Sequence, residues 1–209
     1  IIKTEEHING IRKSCKLTRD ILDMVATRIT AGITTNEINE WVHDYTVSHG
    51  AVPATLGYNG FPKSVCTSIN NVICHGIPDS TVLKNGDIIN VDVTCKLDGY
   101  FGDASRMFII GEGSELAKRL VRISKECMDL GIQEVKPYND FGRIGQVIQK
   151  HANDNGFSVV KDYGGHGIGL KFHEEPHVHH YDNGLRGILM YPGMIFTIEP
   201  MINAGKYQT

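Results

Sequence analysis

The chain has 209 residues, 41% of them hydrophobic and 22% charged, and its 24 acidic and 21 basic side chains leave a formal net charge of −3. A chain of this length can bury roughly 70% of its unfolded surface without staples, and its acidic balance argues against nucleic-acid binding through a broad basic face. The five cysteines, Cys15, Cys66, Cys74, Cys95 and Cys127, are odd in number and form no Cys-x-x-Cys pair, which favours a reducing cytoplasm over a secreted disulfide framework.

No apolar run approaches the ~20 residues of a membrane span. The first residue is Ile1 rather than Met, so a processed or trimmed chain is expected. A first helix is predicted from Thr4 to Gly32, lined at helical spacing by Ile8, Ile11, Cys15, Ile21, Leu22, Val25 and Ile29. Thr34 and Glu37 form a capping box for a second helix with Ile38, Trp41, Val42 and Tyr45 on its apolar face, stopped by Gly50. Two short strands, Val65 to Ile69 and Val72 to His75, flank Asn70-Asn71 as a hairpin. A longer pair, Ile88 to Thr94 and Tyr100 to Ile110, flanks a turn near Leu97-Asp98-Gly99. Ser114 and Asp140 cap two further helices, and strands return at Phe157 to Val160 and Met194 to Ile198. Two helices then strands, twice over, is the order of an α+β protein with two related halves.

Asp92 stands in the apolar strand Ile88-Ile89-Asn90-Val91-Asp92-Val93-Thr94, where a carboxylate is costly unless something neutralises it. A two-residue turn at Leu97-Asp98 sets it directly opposite Asp103; a turn shifted by one residue makes the two diagonal neighbours on one face. Either way two close carboxylates repel, and a divalent cation is the natural remedy; the plainer readings are one exposed sheet face or a salt bridge to Arg106. His166 lies in Tyr163-Gly164-Gly165-His166-Gly167-Ile168-Gly169, with His173 seven residues later. The glycines permit close approach, but the Gly-x-Gly here has no nucleotide-binding context. His177, His179 and His180 read as a solvated loop. Glu199 closes the apolar run Met194 to Ile198, and His75 closes Val72-Ile73-Cys74-His75. Asp92, Asp103, His166 and Glu199 together form an oxygen-rich donor set that suits manganese, cobalt, iron or zinc in a hydrolytic site; such metals activate water and polarise a scissile carbonyl.

Five motifs, in order and spacing, resemble the type I methionine aminopeptidases: Asn71-Val72-Ile73-Cys74-His75-Gly76-Ile77-Pro78; Asn90-Val91-Asp92-Val93; Gly102-Asp103-Ala104-Ser105; Gly165-His166-Gly167-Ile168-Gly169 with Phe172-His173-Glu174-Glu175-Pro176; and Phe196-Thr197-Ile198-Glu199-Pro200. The resemblance implies the pita-bread fold, in which two pseudo-symmetric halves share a curved antiparallel sheet with helices on its outer face. It implies a single catalytic domain over 1–209 that removes the initiator methionine when the second residue is small. It also implies two divalent metal ions. Asp92 would chelate one, Asp103 bridge both, and His166 and Glu199 hold the other, with Glu199 moving protons to and from the attacking water. His75 would contact the amine side of the substrate and His173 the scissile carbonyl. Tyr58, Phe61, Cys66 and Phe172 would line the methionine pocket, where thioether–aromatic contact is favourable.

Phe61 stands where the family often has tyrosine, and Thr55 where some members have cysteine. The chain stops at Thr209, before the family's further strand with its second bridging glutamate and its pocket tryptophan, so a truncated chain with an incomplete metal shell is expected. N-terminal peptides and nascent chains are the implied substrates, with proximity to the ribosome, and a cytoplasmic monomer without nucleic-acid or membrane partners is expected. Two other readings are a proline-specific pita-bread peptidase and a metal-free binding protein of the same fold. The first usually carries an extra N-terminal domain, and the second conflicts with the presence of all four ligand residues.

Overall fold

The computed structural model describes residues 1–184 and 186–208, so Thr209 lies outside the described residues. The chain divides into two compact units: an amino-terminal one of Glu6–Ala117 with Gly169–Phe172, and a carboxy-terminal one of Ile1–Glu5, Lys118–Ile168 and His173–Thr209.

The amino-terminal unit opens with helix α1 (Glu5–Ala26) and helix α2 (Thr35–Ser48). On α1 the buried residues are Ile11, Ser14, Leu17, Thr18, Ile21, Leu22 and Val25, while Cys15, expected on the apolar face, is exposed. The helix also ends earlier than Gly32. Thr27 and Arg28 tighten to i→i+3 bonds, and the Thr27 hydroxyl donates to the Met24 carbonyl at 2.7 Å, taking an end carbonyl that a longer helix would use. The α2 capping box is present: Thr34 Oγ1 accepts from Glu37 N–H at 3.2 Å, and Glu37 Oε2 accepts from Thr34 N–H at 2.7 Å.

Strands β1 (Val52–Pro53), β2 (Cys66–Ile69), β3 (Ile88–Leu97) and β4 (Tyr100–Ile109) form one antiparallel sheet. Along β3 the side chains alternate. Ile89, Val91, Val93 and Cys95 are buried in one core with Leu17, Ile21, Leu22 and Val25 of α1 and Ile38 and Val42 of α2, which leaves Asn90 and Asp92 on the opposite face. The predicted hairpin at Asn70-Asn71 does not form, and 72–75 is not a strand; β2 pairs with β3 instead. Asn70 explains this. Its N–H donates to Ile88 O at 2.9 Å and its Oδ1 accepts from Ile88 N–H at 3.0 Å, so the turn is fastened to β3.

The carboxy-terminal unit holds most of helix α3 (Glu115–Gln133) and all of helix α4 (Gly142–Asp154). Ser114 Oγ accepts from Ala117 N–H at 3.1 Å, as its predicted capping role requires; in α4 the N-cap is Phe141, not Asp140, whose Oδ1 accepts from Gly142 N–H at 2.7 Å from one residue before the cap. Ile123, Cys127, Phe141, Ile144, Ile148 and Ala152 build a second core with Phe157, Val159, Val178, Met190 and Ile202. Strand β5 (Ser158–Val159) pairs with β8 (Ile202–Asn203), and β6 (Gly165–Gly167) with β7 (Glu174–Val178). The predicted strand at Met194 to Ile198 is reduced to a single bridge, Gly167 to Phe196. A register shift between His166 and Gly167 bends β6 at this point, so a longer ladder cannot continue. Two helices followed by antiparallel strands recur in both units, which is the α+β order expected.

Candidate metal centre and active site

The β3–β4 turn is Asp98-Gly99, with φ of 53° and 89°. Two consecutive left-handed residues make the type I′ turn that suits a two-residue hairpin, and Asp-Gly is a favoured pair for it. The turn therefore falls one residue later than Leu97-Asp98. Asp92 faces Ser105 and Asp103 faces Thr94, so the two carboxylates are diagonal neighbours on the face away from the core. Both are half-buried. Arg106, the cation that would have explained them simply, lies on the other face, where its guanidinium pairs with Asp23 at 2.8 Å. Cys66 sits opposite Asp92 across β2. Burial, and then the charges of Asp92 and Asp103, raise its thiol far above the usual range, so it remains an uncharged, unreactive wall.

What holds this hairpin was not legible as function in the sequence. The Ser14 hydroxyl donates to the Tyr100 carbonyl at 2.7 Å, and Thr18 Oγ1 lies 3.0 Å from the Gly102 carbonyl. A Cβ on Gly102 would stand 2.5 Å from backbone atoms of Ser14 and Cys15. Two hydroxyls on an apolar helix face and a glycine inside a strand thus press β4 onto α1 immediately before Asp103.

His75 is exposed, and its backbone is left-handed at φ 54°. The neighbouring Gly76 clamps it there: the Gly76 carbonyl accepts from Thr67 N–H at 2.8 Å, and a Cβ on Gly76 would lie 2.1 Å from the Thr67 oxygen. Strained backbone of this kind collects at binding sites. Tyr58 and Phe172 meet with ring centroids 4.6 Å apart, and both line an open cavity of about 440 Å³ with Leu56, Phe101, Lys96 and Lys171. Phe172 reaches it because Phe101 N–H donates to the Gly169 carbonyl at 2.9 Å. Phe61 and Cys66 lie outside that cavity's lining. Phe61 closes the 57–61 loop, where its N–H donates to Tyr58 O and its carbonyl accepts from Gly57 N–H.

In the carboxy-terminal unit the glycines serve backbone contact. A Cβ on Gly165 would lie 2.3 Å from Thr197 O, and one on Gly167 2.3 Å from Glu175 O. His166 is fixed between them. Its N–H donates to Thr197 Oγ1 at 3.0 Å, and its carbonyl accepts from Thr197 N–H at 2.8 Å. Its Nδ1 lies 2.9 Å from the Gly167 carbonyl. A carbonyl can only accept, so Nδ1 carries a proton, and in the neutral ring Nε2 is the nitrogen with the lone pair. Nε2 lies 3.5 Å from Glu199 Oε1, which also accepts from the Thr197 hydroxyl at 2.5 Å. The His173 ring stands 4.1 Å from that of His166. Glu174, next to His173, makes an ion pair with Lys3 at 2.6 Å, each side chain only 1% exposed.

The later histidines are not all solvated. His177 is exposed on β7, but His180 is buried, and its Nε2 accepts from Glu199 N–H at 3.2 Å. Burial, and then His177 and His179, hold its pKa down to about 3, so its ring stays neutral. Nothing local distinguishes His180 from its neighbours: only the fold shows that the chain after β7 turns inward.

The four residues named as ligands fall into two pairs, Asp92 and Asp103 in one unit and His166 and Glu199 in the other. Among the described residues no three His, Cys, Asp or Glu side chains are grouped closely enough to hold an ion by themselves. Each pair nevertheless suits a cation. Two carboxylates share one face of a hairpin, and an imidazole Nε2 and a carboxylate oxygen converge at 3.5 Å. The backbone carbonyl on Nδ1 sets the tautomer that a metal-binding Nε2 needs.

The family profile of metallopeptidase family M24 matches residues 9–208, and the chain belongs to that family. Among its relatives, methionine aminopeptidase A of Synechocystis sp. is 51% identical over 98% of this chain and 81% of its own. The methionine aminopeptidase of Salmonella typhimurium is 51% identical over 99% of this chain and 79% of its own. The crystal structure of the Rickettsia prowazekii methionine aminopeptidase superposes with a TM-score of 0.97 at 46% identity, covering 99% of this chain and 84% of that one. Xaa-Pro dipeptidase from Bacillus anthracis, 21% identical with a TM-score of 0.81, shares the fold alone, over 95% of this chain and 54% of its own. Within M24 the chain thus stands among the bacterial methionine aminopeptidases, with the pita-bread fold and the divalent-metal dependence of that family.

Proposed function

We propose that this protein is a methionyl aminopeptidase that removes the initiator methionine from nascent proteins and peptides when the second residue is small. The reading is carried by the His166–Glu199 pair, a ring nitrogen and a carboxylate oxygen converging at 3.5 Å, in a chain half identical to methionine aminopeptidases. Two divalent ions would complete the site, and carboxylates with one imidazole accept manganese, iron, cobalt or zinc. Asp92 and Asp103 would hold one such ion and His166 and Glu199 another, where it would acidify water and polarise the scissile carbonyl.

Glu199, held by the Thr197 hydroxyl, also takes a proton from the attacking water and returns it to the leaving amine. His173 donates to the scissile carbonyl oxygen as charge builds there. His75, displayed by its left-handed backbone, meets the substrate amine. Tyr58 and Phe172, which line the open cavity, form the aromatic wall of the side-chain pocket, and this suits a flexible thioether; Phe61 and Cys66, outside that lining, are the further residues that the family resemblance assigns to it. The enzyme works as a cytoplasmic monomer close to the ribosome, on chains as they emerge. No helix among the described residues is long and apolar enough to cross a membrane, and the five cysteines are free thiols.

Tripeptides Met-Ala-Ser, Leu-Ala-Ser, Lys-Ala-Ser and Met-Trp-Ser, assayed beside metal analysis of the purified protein, test this. Fast cleavage of the first alone is expected. Equal rates for Met and Lys at the first position, or for Ala and Trp at the second, overturn the specificity.

A further inference from the structure

Past the bridge between Gly167 and Phe196 the chain leaves the ladder. Thr197 still donates to the His166 carbonyl, but residues 197–200 form no strand. Pro200 confines Glu199 to extended backbone, and a half-buried amide outside a sheet needs an acceptor from somewhere else. That acceptor is a side chain nineteen residues earlier: Nε2 of His180, 3.2 Å from Glu199 N, on a residue 1% exposed. An amide N–H can only donate, so Nε2 carries the lone pair, Nδ1 the proton, and the ring no charge.

Glu199 is then held at two points. Thr197 fixes its carboxylate oxygen at 2.5 Å, and His180 fixes its backbone. With both in place, Oε1 stands 3.5 Å from His166 Nε2. We propose that His180 is a positioning residue for Glu199: it replaces the missing strand partner, fixes the main chain from which the carboxylate projects, and so sets metal affinity without touching the metal. The proposal rests on the reading of Glu199 as a ligand.

Loss of a partner behind a ligand typically weakens metal binding about 10- to 100-fold. The test is a cobalt(II) titration of the full chain, followed by visible absorption, for wild type, Glu199→Gln, His180→Leu and His180→Gln, with the melting temperature of each measured metal-free. Glutamine offers an oxygen at about the reach of Nε2; leucine fills space and accepts nothing. The expected result is cobalt binding weakened 10- to 100-fold in His180→Leu and largely recovered in His180→Gln, with the two melting within a few degrees of each other. If both variants bind cobalt like wild type, or lose affinity equally and only in proportion to melting temperature, His180 is a packing residue and the proposal falls. If Glu199→Gln binds cobalt unchanged, the ligand assignment fails and takes this proposal with it. ¹⁵N NMR of the wild-type, metal-free protein needs no substitution: the proton is expected on Nδ1 of His180, and a proton on Nε2 overturns the contact outright.

Discussion

Replacing Lys3 by methionine should be among the most damaging single changes outside the site. Its ammonium lies 2.6 Å from Glu174 Oε2, with both side chains 1% exposed. Methionine keeps most of the stem but removes the charge that offsets a buried carboxylate. Breaking a buried pair from one side costs about 3–5 kcal/mol. For a chain of this size 1 kcal/mol is worth roughly 2–4 °C, so a fall in melting temperature of roughly 6–20 °C is expected. Adding Glu174→Leu should recover most of the loss, because an apolar pair of similar volume stabilises about as well as a buried ion pair. Urea unfolding of the wild type, both single variants and the double variant closes the cycle. Activity should follow: Glu174 heads β7 beside His173 and pairs with Gly167, the neighbour of His166. A loss below ~1 kcal/mol in Lys3→Met, or single losses that simply add in the double variant, would refute the account of a dry, coupled pair.

Asp103→Asn should nearly abolish turnover while leaving the unfolding midpoint close to wild type, since the residue lies on the face away from the core; wild-type turnover at equal metal loading sinks its assignment as a bridging ligand. His173→Ala should lower kcat by about 10²–10³ with little change in metal affinity, and a large affinity loss by titration would make it a ligand instead. Gly102→Ala should destabilise by about 1–3 kcal/mol, because the new methyl meets α1 backbone that cannot give way; an unchanged urea midpoint would show that β4 can lift. Stability should also fall in acid. The buried His180 stays neutral down to about pH 3, whereas the unfolded chain takes up that proton below ~6.5. Stability from this residue is therefore intact above ~6.5 and declines by up to about 1.4 kcal/mol per pH unit toward pH 3. Unfolding midpoints at pH 7 and 4.5 should show a smaller difference in His180→Gln, and equal differences would mean that the ring is not kept neutral.

The amphipathic helices, the capping box at Thr34 and the long hairpin were readable in the sequence because each rests on local rules of period, cap and turn. So was the acidic pair on one face, since the spacing of Asp92 and Asp103 leaves only two registers. Local rules failed where distant partners decide. Asn70 looked like a hairpin turn but is captured by Ile88. Met194 to Ile198 has a strand's composition, yet it meets only the bent β6. His180 resembled its solvated neighbours because nothing local says which histidine of a cluster turns inward. Ser14 and Thr18 lie in helix α1, and their partners, Tyr100 and Gly102, are more than eighty residues away.

The Asp98-Gly99 turn carries a consequence for what sequence change this hairpin can absorb. Substitution there is forgiving, provided the replacement accepts a left-handed backbone, as Asn-Gly does. Length is not. Adding or deleting one residue in the loop would slip β4 by one position against β3 and turn Asp103 toward the helices, and Ala104 toward the site. Gly102, which alone fits against Ser14 and Cys15, would lose its place in the same step. Here mutation by replacement and mutation by indel are different in kind, and only the first leaves Asp92 and Asp103 on the same face.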